Sequence, residues 1–300
     1  MKKLQRLMLF LLVSAAFTAC DNDENNEILK PTATNLEIGT ANNKEALIGR
    51  DFHFNADVVA ADKIATVQLK ILPKAGETYA KDWKLELTWP EFAGAKNTTV
   101  HKHFTVPAEA PEGKYDFLFL VTDQNGSQLE IKETITLTDP ANMPVDPLIG
   151  RDMLSRNDDL IYYMGTWVEA ELVFKKNDKL TAHAQISQIM GNGILYSVLI
   201  KKSLNYHPES IDNLDFKKVI LISKVEHKDL GPASKITTLQ KINEVYGGET
   251  IVVGAEKDNE GTAISGEKAW QSGQYNWVVL YKNTSYNRSV YKSMAVTIAY

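Results

Sequence analysis

The segment Asp51–Val58, which reads DFHFNADV, decides the fold prediction because polar and apolar residues alternate along its whole length. Successive side chains of a β-strand point to opposite faces, so this period of two predicts a half-buried strand. On such a strand His53 faces away from the core. The residues predicted to face the core are Phe52, Phe54, Ala56 and Val58.

The same alternation recurs along the first half of the chain and predicts about seven strands. The other six predicted strands span residues 34–38, 64–72, 84–88, 98–106, 114–122 and 128–137. The sequence Asp-Gln-Asn-Gly at 123–126 predicts a tight turn between the last two, because Asn-Gly tolerates the positive φ that hairpin turns require. Seven short strands with regular turns are typical of an immunoglobulin-like β-sandwich, which we predict over residues 31–139.

The second half repeats part of this pattern, which predicts tandem domains of related fold. Gly113-x-Tyr115-x-Phe117-x-Phe119-x-Val121 parallels Gly273-x-Tyr275-x-Trp277-x-Val279-x-Tyr281. The inward residues of the Asp51–Val58 strand follow Gly49, and four residues follow Gly165 at the same spacing, namely Val168, Ala170, Leu172 and Phe174. Shared alternation between any two β-sandwiches is the alternative explanation. We predict a second β-sandwich over residues 148–300, with one short helix near residues 232–246.

Three prolines in residues 140–147 predict a stiff, extended linker between the two domains, because proline fixes φ and lacks a backbone donor. The length of 300 residues also favours two domains over one.

The N-terminus has the pattern of a secretory signal. Residues 1–19 combine a basic head with an apolar run too short to span a bilayer, and Cys20 follows them. This arrangement resembles a bacterial lipoprotein box, which implies acylation of Cys20, for example with palmitate. The acidic tether over residues 20–30 resembles the surface-export signal of Bacteroidetes lipoproteins. We therefore expect an outer-membrane lipoprotein that faces the cell exterior; an ordinary cleaved signal peptide is the alternative.

Composition excludes several classes of function. The formal net charge is −5, and no basic stripe is present, which argues against nucleic-acid binding. Cys20 is the single cysteine, so disulfides, thiolate metal sites and a cysteine nucleophile are not expected. No catalytic motif such as Gly-x-Ser-x-Gly or His-Glu-x-x-His occurs in the chain. We predict a binding protein rather than an enzyme.

Two segments resemble a known family. His101–Tyr115 reads HKHFTVPAEAPEGKY, and the sequence Val-Thr-Asp-Gln-Asn-Gly follows at 121–126. A His-containing strand, a Pro-Ala-x-x-Pro-x-Gly-x-Tyr stretch and a Val-Thr-Asp-x-x-Gly turn resemble the Bacteroidetes lipoprotein family catalogued as domain of unknown function, number 4625. The resemblance covers roughly residues 28–140. It implies an extracytoplasmic immunoglobulin-like module and no particular activity.

Three histidines form the sharpest candidate site. His101 and His103 are two residues apart and share one strand face, and His53 lies on the outward face of a strand that we expect to be its neighbour. Imidazoles that converge in this way suit Zn²⁺ or Cu²⁺, with Asp51 or Asp57 as a fourth ligand. The alternative is a solvated sheet face that is rich in histidine. No other cofactor is expected.

Aromatic and acidic residues offer weaker candidates. Stacking platforms for sugars are possible at Trp83, Trp89, Trp270 and Tyr286, although packing in the core is the alternative for such residues. We expect Tyr115 and Tyr275 to pack in the core with their hydroxyls bonded to backbone. The acidic loop that contains Glu209, Asp212 and Asp215 matches no known calcium-loop spacing.

The sequence therefore leaves three binding roles open. The first is a ligand-binding or adhesion module near the outer membrane. The second is a Zn²⁺ or Cu²⁺ capture protein. The third is a glycan-binding partner of an outer-membrane nutrient receptor.

Overall fold

The computed structural model describes residues 29–168, 173–237, 240–242, 245–247 and 249–300. Strands dominate this part of the chain, and only short 3-10 turns accompany them, so the predicted all-β fold class is confirmed. The signal segment, Cys20 and most of the acidic tether lie outside the described residues. Within the described ranges, no helix is both long and apolar enough to cross a membrane.

The first half forms a sandwich of two sheets. The three-stranded sheet has the order β1 (Thr32–Ile38), β3 (Asp51–Val59), β6 (Asn97–Thr105). The five-stranded sheet has the order β2 (Glu45–Leu47), β8 (Gln128–Thr138), β7 (Gly113–Asp123), β4 (Ile64–Pro73), β5 (Leu85–Thr88). All seven predicted strands are present. The additional strand, β2, has three residues, which is too short for alternation to reveal it.

The core of this sandwich lies between the inward faces of β3 and β7. The four residues of β3 that were predicted to face inward are all buried: Phe52, Phe54, Ala56 and Val58. The ring of Phe54 packs on Phe117 and Phe119 of β7, with centroids 5.6 and 4.7 Å apart. Each fully buried Phe or Val contributes about 1.5–3 kcal/mol, so the inward residues of β3 add substantially to the driving force that closes the two sheets.

The second half forms one curled sheet of nine strands. Its strands are β9 (Leu148–Arg156), β10 (Asp159–Tyr163), β11 (Thr166–Trp167), β12 (Val173–Lys175), β13 (Lys179–Lys201), β14 (Val219–Thr237), β17 (Glu249–Val252), β18 (Gly273–Asn283) and β19 (Arg288–Ala299). The 23-residue strand β13 pairs with β9 and β17 near its start and with β14 and β18 further along. A separate hairpin contains β15 (Gln240–Ile242) and β16 (Val245–Gly247).

The described residues of 232–246 lie in strands and not in the predicted helix. β14 continues through this region to Thr237, and β15 and β16 follow it. Ile236 lies opposite Ile186 of β13, whose backbone supplies the hydrogen-bonding partners that an isolated sequence does not reveal. Positive φ angles at Asp229 and Ala233 accompany shifts of register within β14, as β-bulges do.

The predicted repeat is only partly reproduced. Val168 is 61% exposed rather than inward, whereas Phe174 is buried in β12. The other two predicted counterparts, Ala170 and Leu172, lie outside the described residues. The match between residues 113–121 and 273–281 corresponds to the strands β7 and β18. Each strand buries its four matched positions, which are Tyr115, Phe117, Phe119 and Val121 in β7 and Tyr275, Trp277, Val279 and Tyr281 in β18.

The linker is attached to both halves. Its first residues, Pro140–Asn142, form a 3-10 turn instead of the predicted extended chain. The carboxylate of Asp146 lies 2.6 Å from Arg50, and its backbone N–H donates to the carbonyl of Gln188 at 3.2 Å. The outward face of β3 and β6 lies against the loop that joins β13 to β14.

Candidate metal centre

Three histidines converge on the outward face of the three-stranded sheet. β3 and β6 are antiparallel, with His53 directly opposite His103 and Asn55 opposite His101. Since side chains alternate along each strand, the three imidazoles share the face opposite the aromatic core. Their ring centroids lie 5.2 Å apart in each of the three pairs. The structure thus brings together the histidines that the sequence singled out.

Glu209 of the second domain completes the cluster. Its Oε1 lies 3.0 Å from His103 Nε2 and 3.6 Å from His101 Nε2, and its Oε2 lies 2.8 Å from His53 Nδ1. Its neighbour Ser210 caps a 3-10 turn by accepting from the N–H of Asp212, which fixes the loop locally. Among the described residues, these four form the one group suited to a metal ion, with a ligand atom from each within 4.8 Å of the others.

The sheet face that carries the cluster is covered rather than solvated. The side chains of His53 and Glu209 are 4% and 5% exposed, because the loop of the second domain lies over them. His101 and His103 remain 41% and 28% exposed. A cavity of about 210 Å³ opens beside these two histidines. The site therefore has a buried side and a solvent side.

Two further carboxylates contact the histidines from outside the cluster. Asp51 lies 2.6 Å from Nδ1 of His103, and Glu37 lies 3.3 Å from Nε2 of His53. Asp51 thus lies at the ring nitrogen of His103 that faces away from Glu209, outside the group of four residues that could hold an ion. Asp57, the other candidate, accepts hydrogen bonds from Asn35 and Thr99 instead.

The carboxylates set the charge of the histidines. Hydrogen bonds with Asp51 and Glu209 raise the pKa of His103 to about 10. Burial disfavours the charged form of His53, but the nearby carboxylates of Glu209 and Glu37 outweigh it and raise its pKa to about 9. Burial likewise opposes ionisation of Glu209, yet contacts with the two histidines lower its pKa to about 2. Burial lowers the pKa of His101.

Several buried atoms at the centre lack a well-formed hydrogen bond. His53 Nδ1, His53 Nε2 and Glu209 Oε2 are inaccessible to solvent, and none has a hydrogen bond of acceptable geometry despite the short distances between them. Buried polar side-chain atoms usually have such a partner. A cation held between His53 and Glu209 would displace the proton of His53 and bind through the lone pair that it leaves, together with a carboxylate oxygen of Glu209. Imidazole nitrogen and carboxylate oxygen are ligands that Zn²⁺ and Cu²⁺ accept.

The aromatic candidates lie at separate places. Trp83 and Trp89 pack against the core of the first domain, and Lys102 lies over the ring of Trp89. Trp270 packs against the core of the second domain and donates from Nε1 to the carbonyl of Ala255. Tyr286 is 37% exposed on the surface. The structure does not bring these four residues onto one stacking surface.

The acidic loop does not gather its carboxylates. Asp212 pairs with Lys282, and Asp215 lies 3.9 Å from Lys218, whereas Glu209 turns toward the histidines. Glu209 is 106 residues from His103 in the chain. No local sequence signal could have linked the two, so its role escaped the sequence analysis.

Comparisons with solved structures find similarity at low identity. A Salmonella α-2-macroglobulin variant is 10% identical with a TM-score of 0.25, and the match covers 90% of this chain and 14% of that one. A carbohydrate-binding module from the β-sandwich superfamily is 8% identical, with a TM-score of 0.24 and coverage of 90% and 92%. An Escherichia coli α-2-macroglobulin is 12% identical, with a TM-score of 0.23 and coverage of 90% and 24%. The chain thus spans only a small part of either macroglobulin.

No curated protein matches the chain. A family model described as Domain of unknown function (DUF4625) matches residues 18–138. This range includes β3 and β6, so the match covers the segment that carries His53, His101 and His103, in agreement with the family resemblance of its motifs.

Proposed function

We propose that this protein binds one divalent transition-metal ion, Zn²⁺ or Cu²⁺, between His53, His101, His103 and Glu209. The observation that carries the proposal is the convergence of three imidazoles and one buried carboxylate, with ligand atoms within 4.8 Å of one another. The role is binding rather than catalysis.

The spacing of the three rings supports this assignment. A nitrogen about 2.0–2.1 Å from Zn²⁺ places the imidazole centroid about 3.2 Å from the ion, so two tetrahedral ligands have centroids about 5.2 Å apart. All three pairs of rings in the cluster have centroids 5.2 Å apart. Tetrahedral binding requires ligand atoms about 3.3 Å apart, which small rotations of the side chains would achieve.

The outer carboxylates favour particular ligand atoms. Metal-bound histidines generally direct their second ring nitrogen to a carboxylate or carbonyl, which fixes the orientation of the ring. Asp51 and Glu37 occupy these positions at His103 and His53. The proposed ligand atoms are accordingly His53 Nδ1, His103 Nε2 and His101 Nε2, with an oxygen of Glu209.

We further propose that the site works in the cell envelope. The signal segment and Cys20 support a lipid-anchored protein, and the acidic tether supports exposure on the outer membrane. A tethered metal site there would capture ions from the exterior and hold them for a partner receptor.

The test is calorimetric titration of the purified protein with Zn²⁺ and, separately, Cu²⁺. We expect one ion per chain with a micromolar or lower Kd. Binding should be lost in the His101→Ala/His103→Ala double variant and weakened in Glu209→Gln. Ser293→Ala is the control, because Ser293 lines the same cavity outside the group of four and its loss should leave the Kd unchanged. Absence of heat with both ions would show that the cluster is an ion-pair network between domains and would overturn the proposal.

A further inference from the structure

A fourth histidine faces the same cavity without belonging to the cluster. His207 lies two residues before Glu209 on the loop between β13 and β14. It lines the cavity of about 210 Å³ together with His101, His103, Tyr206, Glu209 and Tyr291. Its ring centroid is 6.4 Å from that of His101. His207 is thus the next imidazole outward from the proposed metal site.

The exposure of the histidines and of Glu209 decreases from the solvent side of the cavity to the interior. His207 is exposed, the side chain of His101 is 41% exposed, and those of Glu209 and His53 are 5% and 4% exposed. An ion that arrives through the cavity therefore meets His207 and His101 before it reaches the buried ligands. His101 contacts both groups, since its ring lies 5.2 Å from that of His53.

We propose that His207 and His101 form an entry position, where a divalent transition-metal ion binds before it moves inward to His53, His103 and Glu209. The ion stays on His101 during the transfer, exchanges His207 for the inner ligands, and leaves by the reverse path. This inference rests on the proposed metal-binding function.

The geometry permits such a position. Two tetrahedral imidazole ligands have centroids about 5.2 Å apart, so a shift of about 1 Å of the exposed His207 ring would suffice. The contact between His207 Nε2 and Asn205 Oδ1 is weak, at a distance of 3.4 Å. An exposed outer ligand beside a buried inner group is suited to exchange of the ion rather than to permanent retention.

Stopped-flow kinetics of Zn²⁺ uptake and of Zn²⁺ release to an excess of a chromogenic chelator test this inference. His207→Ala should slow uptake and release by the same several-fold factor and leave the Kd unchanged, because an entry position changes the path and not the end states. His207→Asp, which restores a ligating group, should recover much of both rates. Ser293→Ala, at another residue that lines the cavity, is the control and should behave as wild type.

The outcomes separate the two proposals. Unchanged rates in His207→Ala, with normal Zn²⁺ affinity, would overturn the entry position and leave the metal site intact. Faster release together with a higher Kd would also overturn it, because His207 would then be a ligand of the inner site. Failure of the wild-type protein to bind Zn²⁺ would overturn both proposals.

Discussion

Gly193 lies in β13 where the backbone passes against the His227–Tyr281 pair. His227 Nε2 and the Tyr281 hydroxyl are 3.0 Å apart, and both rings are buried. A Cβ at position 193 would contact His227 Nε2 and lie 2.7 Å from the Tyr281 hydroxyl and 2.9 Å from the Lys282 carbonyl. The close approach of these groups, rather than an unusual φ, is what requires glycine here.

We expect Gly193→Ala to lower the free energy of unfolding by about 1–3 kcal/mol, because the added methyl group overpacks a site that has no free space. Gly150→Ala is the matched control, since its Cβ would have no heavy atom within 4 Å. Urea unfolding measures both variants. Equal stability of the two would show that the His227–Tyr281 pair can move aside without cost.

His183 is a buried residue whose ionisation should oppose folding in acid. It is 2% exposed, and burial, with the charge of Arg151, lowers its pKa to about 4. The unfolded chain, with a His pKa of about 6.5, takes up this proton first. The stability associated with neutral His183 is therefore complete above pH 6.5 and is lost as the pH falls toward 4. An NMR titration of the His183 ring should give a midpoint well below 6.5; a midpoint at or above 6.5 would contradict the prediction.

At the scale of elements, β7 and β18 begin with the same device. Tyr115 donates from its hydroxyl to the carbonyl of Pro111 at 2.9 Å, and Tyr275 donates to that of Gln271 at 3.1 Å. Both bonds span four residues, as in the tyrosine corner of immunoglobulin-like domains. The prediction that these tyrosines pack in the core with hydroxyls bonded to backbone is confirmed. Each bond fixes the chain where it enters a central strand.

We expect Tyr115→Phe and Tyr275→Phe each to reduce the free energy of unfolding by about 1 kcal/mol, because each leaves a carbonyl without its partner. Tyr286→Phe, at an exposed ring, should change it by less than about 0.5 kcal/mol. Thermal and urea unfolding of the three variants would check this, and a similar effect of all three would contradict it.

At the scale of the whole molecule, the candidate metal centre lies between the domains. Three of its residues come from the first domain, and Glu209 comes from the second. Other contacts cross the same junction: Asn213 donates to Glu37 at 3.3 Å, and Arg288 pairs with Glu45. An ion bound by both domains would stabilise their association as well as each fold.

We expect Zn²⁺ to raise the Tm of the whole protein and a chelator to reverse the change. Free Zn²⁺ at about 100 times the Kd adds about 2.7 kcal/mol of stability by mass action. Glu209→Gln should reduce this gain, because the three histidines of the first domain would then hold the ion without a charged ligand from the second. An identical Zn²⁺ response in wild type and Glu209→Gln would argue against a shared site.

The sequence alone determined seven of the eight strands of the first domain and the common face of its histidines. Alternation from Phe52 to Val58 identifies the inward residues, and the same alternation places His53, His101 and His103 outward, because a period of two is a local property of extended chain. It also predicted that Tyr115 and Tyr275, near the starts of β7 and β18, pack in the core with their hydroxyls bonded to backbone. Each hydrogen bond spans four residues, so the prediction needed only one short segment of sequence.

Tertiary structure alone decided what covers that outward face. Glu209 reaches the histidines from 106 residues away, Asp51 turns to the far nitrogen of His103, and β14 replaces a predicted helix by pairing with β13. Each of these outcomes depends on which distant backbone lies alongside. Local periodicity determines the direction of a side chain, and only the packing of the second domain turned an outward face into a buried site.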